Sequence, residues 1–383
     1  MQKIGIKNLE MKNKCPTKKL GDVLHYEQPT VYLVESTEYN DEYSTPVLTA
    51  GKSFIKGYTN ETHGIFQADK LPVIIFDDFT TATQFVDFQF KVKSTAMKIL
   101  VPSDELDISY AYYFMQTINH DHRTHKRYWI SEYSKRDIPL PPLEEQKRIV
   151  KVLEKKLGNV KEAVQLRQDA IADTEKILSA KLTEVFIGGK EKGWEEKELG
   201  DIVEFQNGKA HEQHIKPESA FKVINSKFVS SNGVIYKESD QQLTPLIQND
   251  VVMVMSDVPN GKTLAKCYLV ESDNVYTLNQ RIGCFRVKNN KELDARYLFI
   301  QLNRNEQLLS YDKGRGQTNL RKNDILEIKL PVPDLKTQAK IVKELDELSA
   351  RVASLRALQE TQLADLKSLE RAYLHEAFNG ELV

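Results

Sequence analysis

A basic, glycine-containing segment near the end of the chain has side chains suited to binding DNA. It reads Lys313-Gly314-Arg315-Gly316-Gln317-Thr318-Asn319-Leu320-Arg321. An arginine can fork onto guanine or a phosphate, and a glutamine or asparagine can pair with the edge of adenine. The two glycines let backbone N–H groups approach phosphates closely. We therefore predict that Lys313, Arg315, Gln317, Asn319 and Arg321 bind DNA. The alternative is a solvated turn before a helix.

A second basic cluster lies in the first half of the chain. It consists of Arg123, His125, Lys126 and Arg127, and two aromatic residues, Tyr128 and Trp129, follow directly. We predict that the four basic residues bind DNA from a loop equivalent to the glycine-containing segment. The alternative is an exposed run of charge with both aromatic rings turned into the core. Three histidines occur here, but no cysteine or acidic residue has metal-ligand spacing, so we predict no metal site.

No catalytic motif accompanies these segments. Asn260-Gly261-Lys262-Thr263 resembles the end of a phosphate-binding loop, but Ser256 stands where the first glycine should be. The sequence has no Asn-Pro-Pro-Tyr or Asp-Pro-Pro-Tyr motif for adenine methylation, no glycine-rich cofactor loop and no Ser/His/Asp constellation. Asn279, Gln280 and Arg281 could contact DNA, but a structural role at a strand end is favoured. The sequence therefore predicts recognition without catalysis.

Two long helices must position these segments. The first follows Pro142 and contains no proline, and no glycine except Gly158, before Gly188. Its apolar residues recur at steps of three and four, which is typical of one helix face. The pattern returns 192 residues later in the pairs Gln146 and Gln338, Ile149 and Ile341, Leu153 and Leu345, Leu182 and Leu374, and Phe186 and Phe378. We predict two helices of about 40 residues, each about 60 Å long, that pack as an antiparallel coiled coil. The alternative is that each packs on its own globule.

The chain order is therefore globule, long helix, globule, long helix. The two globules share anchor sequences, such as Leu20-Gly21-Asp22-Val23 and Leu199-Gly200-Asp201-Ile202. We also predict a buried strand at Val73–Phe76 and a half-buried strand at Val86–Val92, where apolar residues alternate with polar ones. The predicted divisions are an N-terminal extension (1–19), a first globule (20–137), a first long helix (138–189), a second globule (190–327) and a second long helix (328–383).

Composition limits the classes of protein that fit. The 383 residues carry a net charge of −1, so the chain is not globally basic, although a local basic face is compatible with that value. Its three cysteines form no Cys-x-x-Cys pair, which indicates a reducing compartment. No apolar run is long enough to cross a bilayer. We therefore expect a cytoplasmic protein with no membrane partner.

Several motifs together resemble one family, the specificity (S) subunits of type I restriction–modification systems. They are Leu140-Pro141-Pro142-Leu143-Glu144-Glu145-Gln146, the two long helices that end in Phe-x-Gly, the Leu-Gly-Asp openings, Leu278-Asn279-Gln280-Arg281 and Gly314-Arg315-Gly316-Gln317-Thr318-Asn319. The resemblance covers nearly the whole chain after about Lys19. The chain departs from the family in its second proline lead-in, which is longer and less acidic, and in the absence of a Gly-x-Gly-Gln loop from the first globule.

The resemblance implies an α+β fold with two mixed α/β target recognition domains, separated by two long antiparallel helices that form a coiled-coil spacer, in a pseudo-twofold internal repeat. It implies that each domain reads one half of a split DNA sequence, and that the helices set the separation and dock methyltransferase subunits, two in number. Restriction subunits would join through these. S-adenosylmethionine, ATP and Mg would bind to the partner subunits, and no cofactor to this chain.

Two other classes of function remain open on the sequence. One is a two-globule coiled-coil scaffold that binds only protein, which predicts no DNA affinity. The other is an unrecognised nuclease or methyltransferase, which predicts that the purified chain alone cleaves or methylates DNA. A spacer of fixed length makes a further prediction. Inserting four residues after Lys176, with a matched insertion after Ser368, should lengthen the unread DNA between the half-sites by one or two base pairs.

Overall fold

The chain folds into two compact units that each contain a mixed α/β globule. The structure, a computed structural model, describes residues 15–49, 53–118, 127–258, 261–314 and 316–382, with the backbone only of Ile187, Lys190 and Glu191. Unit 1 takes in the chain up to Ala170 and again from Gln359, and unit 2 is Ile171–Leu358. Among the described residues, no helix combines the length and the apolar character needed to cross a membrane.

Among its described residues, unit 1 contains three sheets, three short α-helices, the first part of one long helix and the last part of the other. Its elements are β1 (Thr17–Lys19), α1 (Leu20–Val23), β2 (Leu24–Glu27), β3 (Thr45–Leu48), β4 (Ile55–Thr59), β5 (Val73–Asp77), β6 (Thr83–Val86), β7 (Lys91–Val92), β8 (Met97–Pro102), α2 (Ile108–Gln116), α3 (Tyr128–Ser131), β9 (Asp137–Pro139) and the first part of α4 (Leu143–Glu191). The main sheet has the antiparallel order β2-β8-β5-β6. A second sheet has the order β4-β3-β7, and β1 pairs with β9.

Unit 2 repeats this arrangement. Its elements are β10 (Glu196–Glu198), α5 (Leu199–Ile202), β11 (Val203–Asn207), β12 (Phe221–Ile224), α6 (Ser226–Ser230), β13 (Lys237–Ser239), β14 (Val251–Val254), β15 (Ser256–Asp257), β16 (Cys267–Leu269), β17 (Tyr276–Leu278), β18 (Ile282–Val287), α7 (Ala295–Leu302), α8 (Glu306–Leu309), β19 (Thr318–Asn319), α9 (Lys322–Leu326), β20 (Lys329–Pro331) and part of α10 (Leu335–Phe378). The main sheet is β11-β18-β14-β16, the second is β13-β12-β17, and β10 pairs with β20. One pair, β15 with β19, has no counterpart among the described strands of unit 1.

One interior strand of each main sheet, β5 in unit 1 and β14 in unit 2 (the central strand), is buried on both faces. Successive side chains of a strand point to opposite faces, so in β5 Ile74 and Phe76 pack in the core beneath α2, while Val73 and Ile75 pack with Phe66. The same division holds for β14, whose odd- and even-numbered residues enter separate cores. A continuous apolar run, rather than an alternating one, is what a strand covered on both faces requires.

A buried glutamine in the first turns of each long helix fixes that helix to its globule. In unit 1, Gln146 Oε1 accepts a hydrogen bond from the Asp107 N–H at 2.8 Å, and Nε2 donates to the carbonyls of Glu105 and Pro141. In unit 2, Gln338 makes the same three bonds, to the Asp294 N–H and to the carbonyls of Glu292 and Pro333. The sequence match of the two glutamines therefore reflects one repeated structural role.

The long helices run antiparallel within each unit. In unit 1, Leu153 of α4 packs in one cluster with Leu374 of α10, and the Gln359 side chain lies 3.4 Å from the Ala170 carbonyl. In unit 2, Glu175 pairs with Arg356 at 2.9 Å. Contacts thus advance along α4 as they retreat along α10, which confirms the predicted antiparallel pair. The helix ends also reach the globules, since Phe378 packs on Tyr110 and Phe186 on Tyr297.

One strand prediction is wrong in its extent. The alternation from Val86 to Val92 predicted a single strand, but β6 ends at Val86 and β7 begins only at Lys91. Val86 pairs antiparallel with Val73, whereas Val92 pairs parallel with Leu48 in the other sheet. The chain therefore changes sheets within the alternating run, which a pattern of polar and apolar residues does not record.

The compact units divide the chain differently from the sequence-based domain boundaries. Those boundaries treat residues 1–19 as an extension, and in the structure Thr17–Lys19 forms β1 and pairs with β9 in unit 1. Each long helix also contributes to both units, because the division falls after Ala170 in α4 and after Leu358 in α10. The linear division into globules and helices stays a prediction of the functional domains.

Candidate nucleic-acid interface

The glycine-containing segment of unit 2 lies at one end of the main sheet. Its strand β19 pairs with β15, with Asn319 opposite Ser256 and Thr318 opposite Asp257. The Leu320 N–H then donates to the carbonyl of Met255, which directly follows the central strand β14, at 2.8 Å. The segment is therefore held by the main sheet on the side from which β14 exits.

The described side chains of this segment that were predicted to bind DNA are exposed. These are Lys313, Gln317, Asn319 and Arg321, whereas Arg315 lies outside the described residues. Gly314 and Gly316 have φ values of 67° and 70°, in the left-handed region that favours glycine. The Gln317 Nε2 atom donates to Ser256 Oγ at 2.6 Å, which fixes the direction of the amide. The Gln317 residue as a whole nevertheless remains exposed.

The basic segment of unit 1 ends at the equivalent place. The Tyr128 N–H donates to the Asp78 carbonyl, directly after the central strand β5, at 3.0 Å, just as Leu320 donates to Met255. Arg127 is exposed at this junction, and the other three predicted residues, Arg123, His125 and Lys126, lie outside the described residues. Both basic segments therefore reach the main sheet of their unit at the same end of its central strand.

The aromatic residues of the unit 1 segment belong to the core. Tyr128 and Trp129 are buried, and the Trp129 ring lies 5.5 Å from that of Phe76. The Trp129 N–H also donates to Asp78 Oδ1 at 2.8 Å. The alternative stated from the sequence is therefore correct for the rings, and they are not available to stack on bases.

The fold brings two further cations to the same sheet end in unit 2. The sequence analysis weighed Arg281 as a DNA contact but favoured a structural role, and it missed Lys209. Arg281 is exposed, and its carbonyl accepts the Met255 N–H at 2.9 Å. Lys209 is also exposed, and its backbone bonds to Leu278 and Gln280. Within the ranges that the structure describes, neither residue takes part in an ion pair, and the same holds for Lys313 and Arg321. The sequence signal for Arg281 was its place at the end of the Leu278–Arg281 motif, whereas Lys209 belongs to none of the motifs quoted above.

The Leu278–Arg281 motif is chiefly structural, as the sequence favoured. The Asn279 N–H donates to the Ile224 carbonyl in the second sheet, and the Gln280 N–H donates to Lys209. Arg281 itself has a φ of 73° at the start of β18. The motif therefore links the two sheets of unit 2 and leads the chain into strand β18 of the main sheet, while the Arg281 side chain stays exposed.

The segment that resembles a phosphate-binding loop is occupied by a carboxylate of the chain itself. Asp257 Oδ2 accepts from the Thr263 N–H at 2.7 Å, from Thr263 Oγ1 at 2.6 Å and from the Leu264 N–H at 3.1 Å. Although burial raises the pKa of Asp257, these bonds hold it below its usual value. Donors of this kind would otherwise serve a phosphate, which supports the rejection of a nucleotide site. In the described part of the chain, no cluster of three or more His, Cys, Asp or Glu could hold a metal.

Comparisons with known proteins decide the family. The family model described as "Type I restriction modification DNA specificity domain" matches residues 13–164 and again 191–363. The chain is also 32% identical over 365 residues to the type I restriction enzyme EcoR124I/EcoR124II specificity subunit of Escherichia coli, across 88% of this chain and 87% of that protein. The chain belongs to the type I restriction–modification DNA specificity family. Its function is DNA sequence specificity within such a complex.

Solved structures share the fold of this specificity subunit. One is a chain from a structure that addresses complex assembly and conformational transition of the type I R-M system, with a TM-score of 0.75 and 20% identity over 96% of this chain and 99% of that one. Another is the HsdS subunit from Thermoanaerobacter tengcongensis, with a TM-score of 0.57 and 20% identity over 96% and 97%. The predicted fold class, two mixed α/β domains with two long antiparallel helices in an internal repeat, is therefore confirmed.

Proposed function

We propose that each unit reads one half of a bipartite target in double-stranded DNA through the loops at the exit of its central strand. One observation carries this assignment. The Tyr128–Asp78 and Leu320–Met255 hydrogen bonds attach two otherwise unrelated basic segments to the same place on the same sheet. A shared scaffold with divergent loops at one edge suits two readers of different sequences, because base readout needs different side chains on a constant frame.

Local charge supports DNA as the ligand. The chain as a whole has a net charge of −1, yet Lys209, Arg281, Lys313 and Arg321 share one end of the unit 2 sheet and form no ion pair with a described residue. Unpaired cations beside phosphates release counterions on binding. In this proposal, Gln317 and Asn319 approach base edges while the cations position the duplex.

The long helices α4 and α10 are proposed to set the separation of the two half-sites and to dock methyltransferase subunits, two per chain. Restriction subunits would join through the methyltransferase subunits. This chain supplies no catalysis in the proposal. Methyl transfer and ATP-dependent cleavage belong to the partner subunits, which would bind S-adenosylmethionine, ATP and Mg. The absence of any methyltransferase motif from the sequence supports this division of labour.

A matched pair of variants tests the reading role of unit 2. Gln317→Ala removes an amide at the proposed interface, whereas Gln248→Ala removes an exposed glutamine just before β14, at the opposite end of the central strand. In complexes assembled with the methyltransferase subunits, we expect Gln317→Ala to relax preference at one position of one half-site by about 1–3 kcal/mol. Gln248→Ala should match the unaltered complex. Sequencing of methylated sites, together with binding titrations at several salt concentrations, provides the measurement.

The outcomes separate the competing functions. A phosphate contact by Gln317 would weaken binding to all sequences alike instead of at one position. Unchanged specificity and affinity in the Gln317→Ala complex would remove this loop from the interface. An unaltered complex without sequence-specific DNA binding would favour the protein-only scaffold, and methylation or cleavage by the purified chain alone would favour a catalytic role.

A further inference from the structure

Each unit exposes a large apolar side chain beside its basic segment. Phe79 follows β5 by two residues and is 47% exposed, and Val258 follows β15 directly and is 63% exposed. Neither residue belongs to the hydrophobic cores of its unit. Burial of such side chains is normally favourable. Phe79 lies one residue after Asp78 and Val258 lies three residues after Met255, the two residues whose carbonyls accept the Tyr128 and Leu320 N–H groups.

In each unit, an aspartate side chain accepts a hydrogen bond from the backbone N–H of the apolar residue. Asp77 Oδ1 accepts from the Phe79 N–H at 2.8 Å and from the Thr80 N–H at 3.2 Å, and Oδ2 accepts from Thr80 Oγ1 at 2.6 Å. Asp257 Oδ1 accepts from the Val258 N–H at 2.8 Å, while its other oxygen holds Thr263. The backbone that carries each apolar residue is therefore fixed by several hydrogen bonds. A fixed backbone lowers the entropy cost of placing the side chain against a ligand.

Both apolar residues also lie next to the junction with the basic segment. Phe79 is adjacent to Asp78, whose carbonyl accepts the N–H of the residue after Arg127. Val258 is adjacent to Asp257, which pairs with Thr318 between Gln317 and Asn319. An apolar side chain among groups suited to phosphates and base edges can make one kind of base-specific contact, with the 5-methyl group of thymine.

We propose that Phe79 and Val258 are specificity-determining residues that contact thymine methyl groups, one in each half-site. Asp77 and Asp257 act as positioning residues for them. This inference rests on the proposed function, because it requires that the two units read DNA. It adds a pair of apolar contacts to the polar and cationic ones already assigned.

Replacing single thymines by deoxyuridine tests the contact, because the change removes only the methyl group. The assembled complex would be titrated with duplexes of its mapped target in which each thymine in turn is replaced. We expect one replacement in each half-site to weaken binding about fourfold, as for one buried carbon group. Phe79→Ala should abolish that difference in one half-site and Val258→Ala in the other. The salt dependence should stay unchanged, since an apolar contact releases no counterions.

The controls keep the residue type and change the place. Phe88→Ala removes a phenylalanine that is 36% exposed just after β6, at the opposite end of the main sheet of unit 1. Val234→Ala removes a valine that is 78% exposed in unit 2. Both should retain the full dependence on the methyl groups. Asp77→Ala, with Phe79 intact, should lose discrimination in the same half-site as Phe79→Ala, which a general loss of stability would not confine to one position.

Two results would overturn the inference. One is an unaltered complex that binds its target specifically but ignores every thymine methyl. The other is a Phe79→Ala complex that keeps the same dependence as Phe88→Ala. If the unaltered complex shows no sequence preference at all, the proposed function fails first and this inference falls with it.

Discussion

Gln146 and Gln338 make the same three hydrogen bonds in the two units. Each is fully buried and uses both ends of its amide. Each joins the first turns of a long helix to the N-terminal cap of the short helix α2 or α7, where Asp107 and Asp294 bond the N–H groups of Tyr110 and Tyr297. A leucine of similar size would leave one N–H and two carbonyls without these partners.

We therefore predict that Gln146→Leu lowers the free energy of unfolding of unit 1 by about 2–4 kcal/mol, because unsatisfied buried polar groups cost about 1–3 kcal/mol each. Gln168→Leu is the control, since Gln168 is exposed on the same helix. Denaturant titration followed by hydrogen exchange in β5 and β8 measures the effect. Equal stability of the two variants would contradict the assigned role of Gln146.

His211 predicts a dependence of stability on pH. The imidazole is buried, its Nδ1–H donates to the Lys209 carbonyl at 2.7 Å, and Nε2 accepts from Thr277 Oγ1 at 2.8 Å. Burial lowers the pKa of His211 in the folded state, whereas the unfolded chain binds a proton near pH 6.5. The unfolded state therefore gains protons first on acidification, and stability falls below about pH 6.5 by at most about 1.4 kcal/mol per pH unit.

Replacing the imidazole should remove this dependence. His211→Phe is expected to be less stable at pH 7.5, and the difference from the unaltered protein should shrink between pH 7.5 and pH 5.5. His25→Phe, at an exposed histidine of unit 1, is the matched control for replacing an imidazole by a phenyl ring. A constant difference between His211→Phe and the unaltered protein across this range would show that His211 does not titrate as described.

At the residue scale, the sequence predicted the part of the site that is contiguous. Gln317, Asn319 and Arg321 alternate along one short segment directly after two glycines, so their chemistry was visible as a cluster. Lys209 and Arg281 are isolated cations in sequence, and only the pairing of Met255 with Arg281 and of Lys209 with Leu278 brings them near that cluster. Phe79 and Val258 were missed for a different reason, because an apolar residue after a buried strand predicts core and not exposure.

At the scale of elements, the helices could be predicted and most strand pairings could not. Apolar residues that recur on one helix face along a long segment without proline predict a helix. The helix α4 accordingly begins at Leu143, directly after Pro142. Strands of two to six residues leave no such signal. The parallel pairing of β3 with β7 and of β12 with β17 depends on distant segments, which one sequence does not reveal.

The pairing of α4 with α10 corrects the design of the spacer experiment. The repeat offset suggested a matched insertion after Ser368, but Glu175 pairs with Arg356, so the position opposite Lys176 is near Leu355. Insertions of four residues after Lys176 and after Leu355 should keep both flanking contacts. We predict that this double insertion lengthens the unread DNA by one or two base pairs and preserves the half-site sequences, because four residues add about 6 Å of helix.

Methylated sites of the insertion complex, mapped in cells that carry the partner subunits, would check this. The combination of Lys176 and Ser368 insertions serves as the comparison, since it shifts the intervening helix faces against one another and should reduce activity. An active double-insertion complex that kept the original spacing, or that read different half-sites, would argue against the helices as a ruler.

At the scale of the whole molecule, unit 1 depends on a segment that lies far along the chain. Leu374, Ala377 and Leu382 are buried in a cluster with Leu153. We predict that a chain shortened after Leu358 keeps a folded unit 2 and loses the hydrogen-exchange protection of residues 143–170.

In the full chain, Leu374→Ala should lower the free energy of unfolding of unit 1 by about 2–4 kcal/mol. Leu369→Ala, at a more exposed position, should lower it much less. Hydrogen exchange resolved by segment distinguishes these cases, and equal protection of residues 143–170 with and without Gln359–Leu382 would contradict the dependence.

This division of unit 1 has a consequence for biosynthesis. Unit 2 is one continuous segment, Ile171–Leu358, whereas unit 1 needs residues from both sides of it. Domains usually fold in the order in which the ribosome delivers them, but here the unit that begins first receives its last residues after the other is complete. Until Gln359 and the residues beyond it emerge, the face of α4 that bears Leu153 has no α10 to cover it. The nascent chain therefore passes through a stage in which unit 2 is complete and the apolar face of α4 around Leu153 is exposed. A chaperone or a second nascent chain could bind to that face.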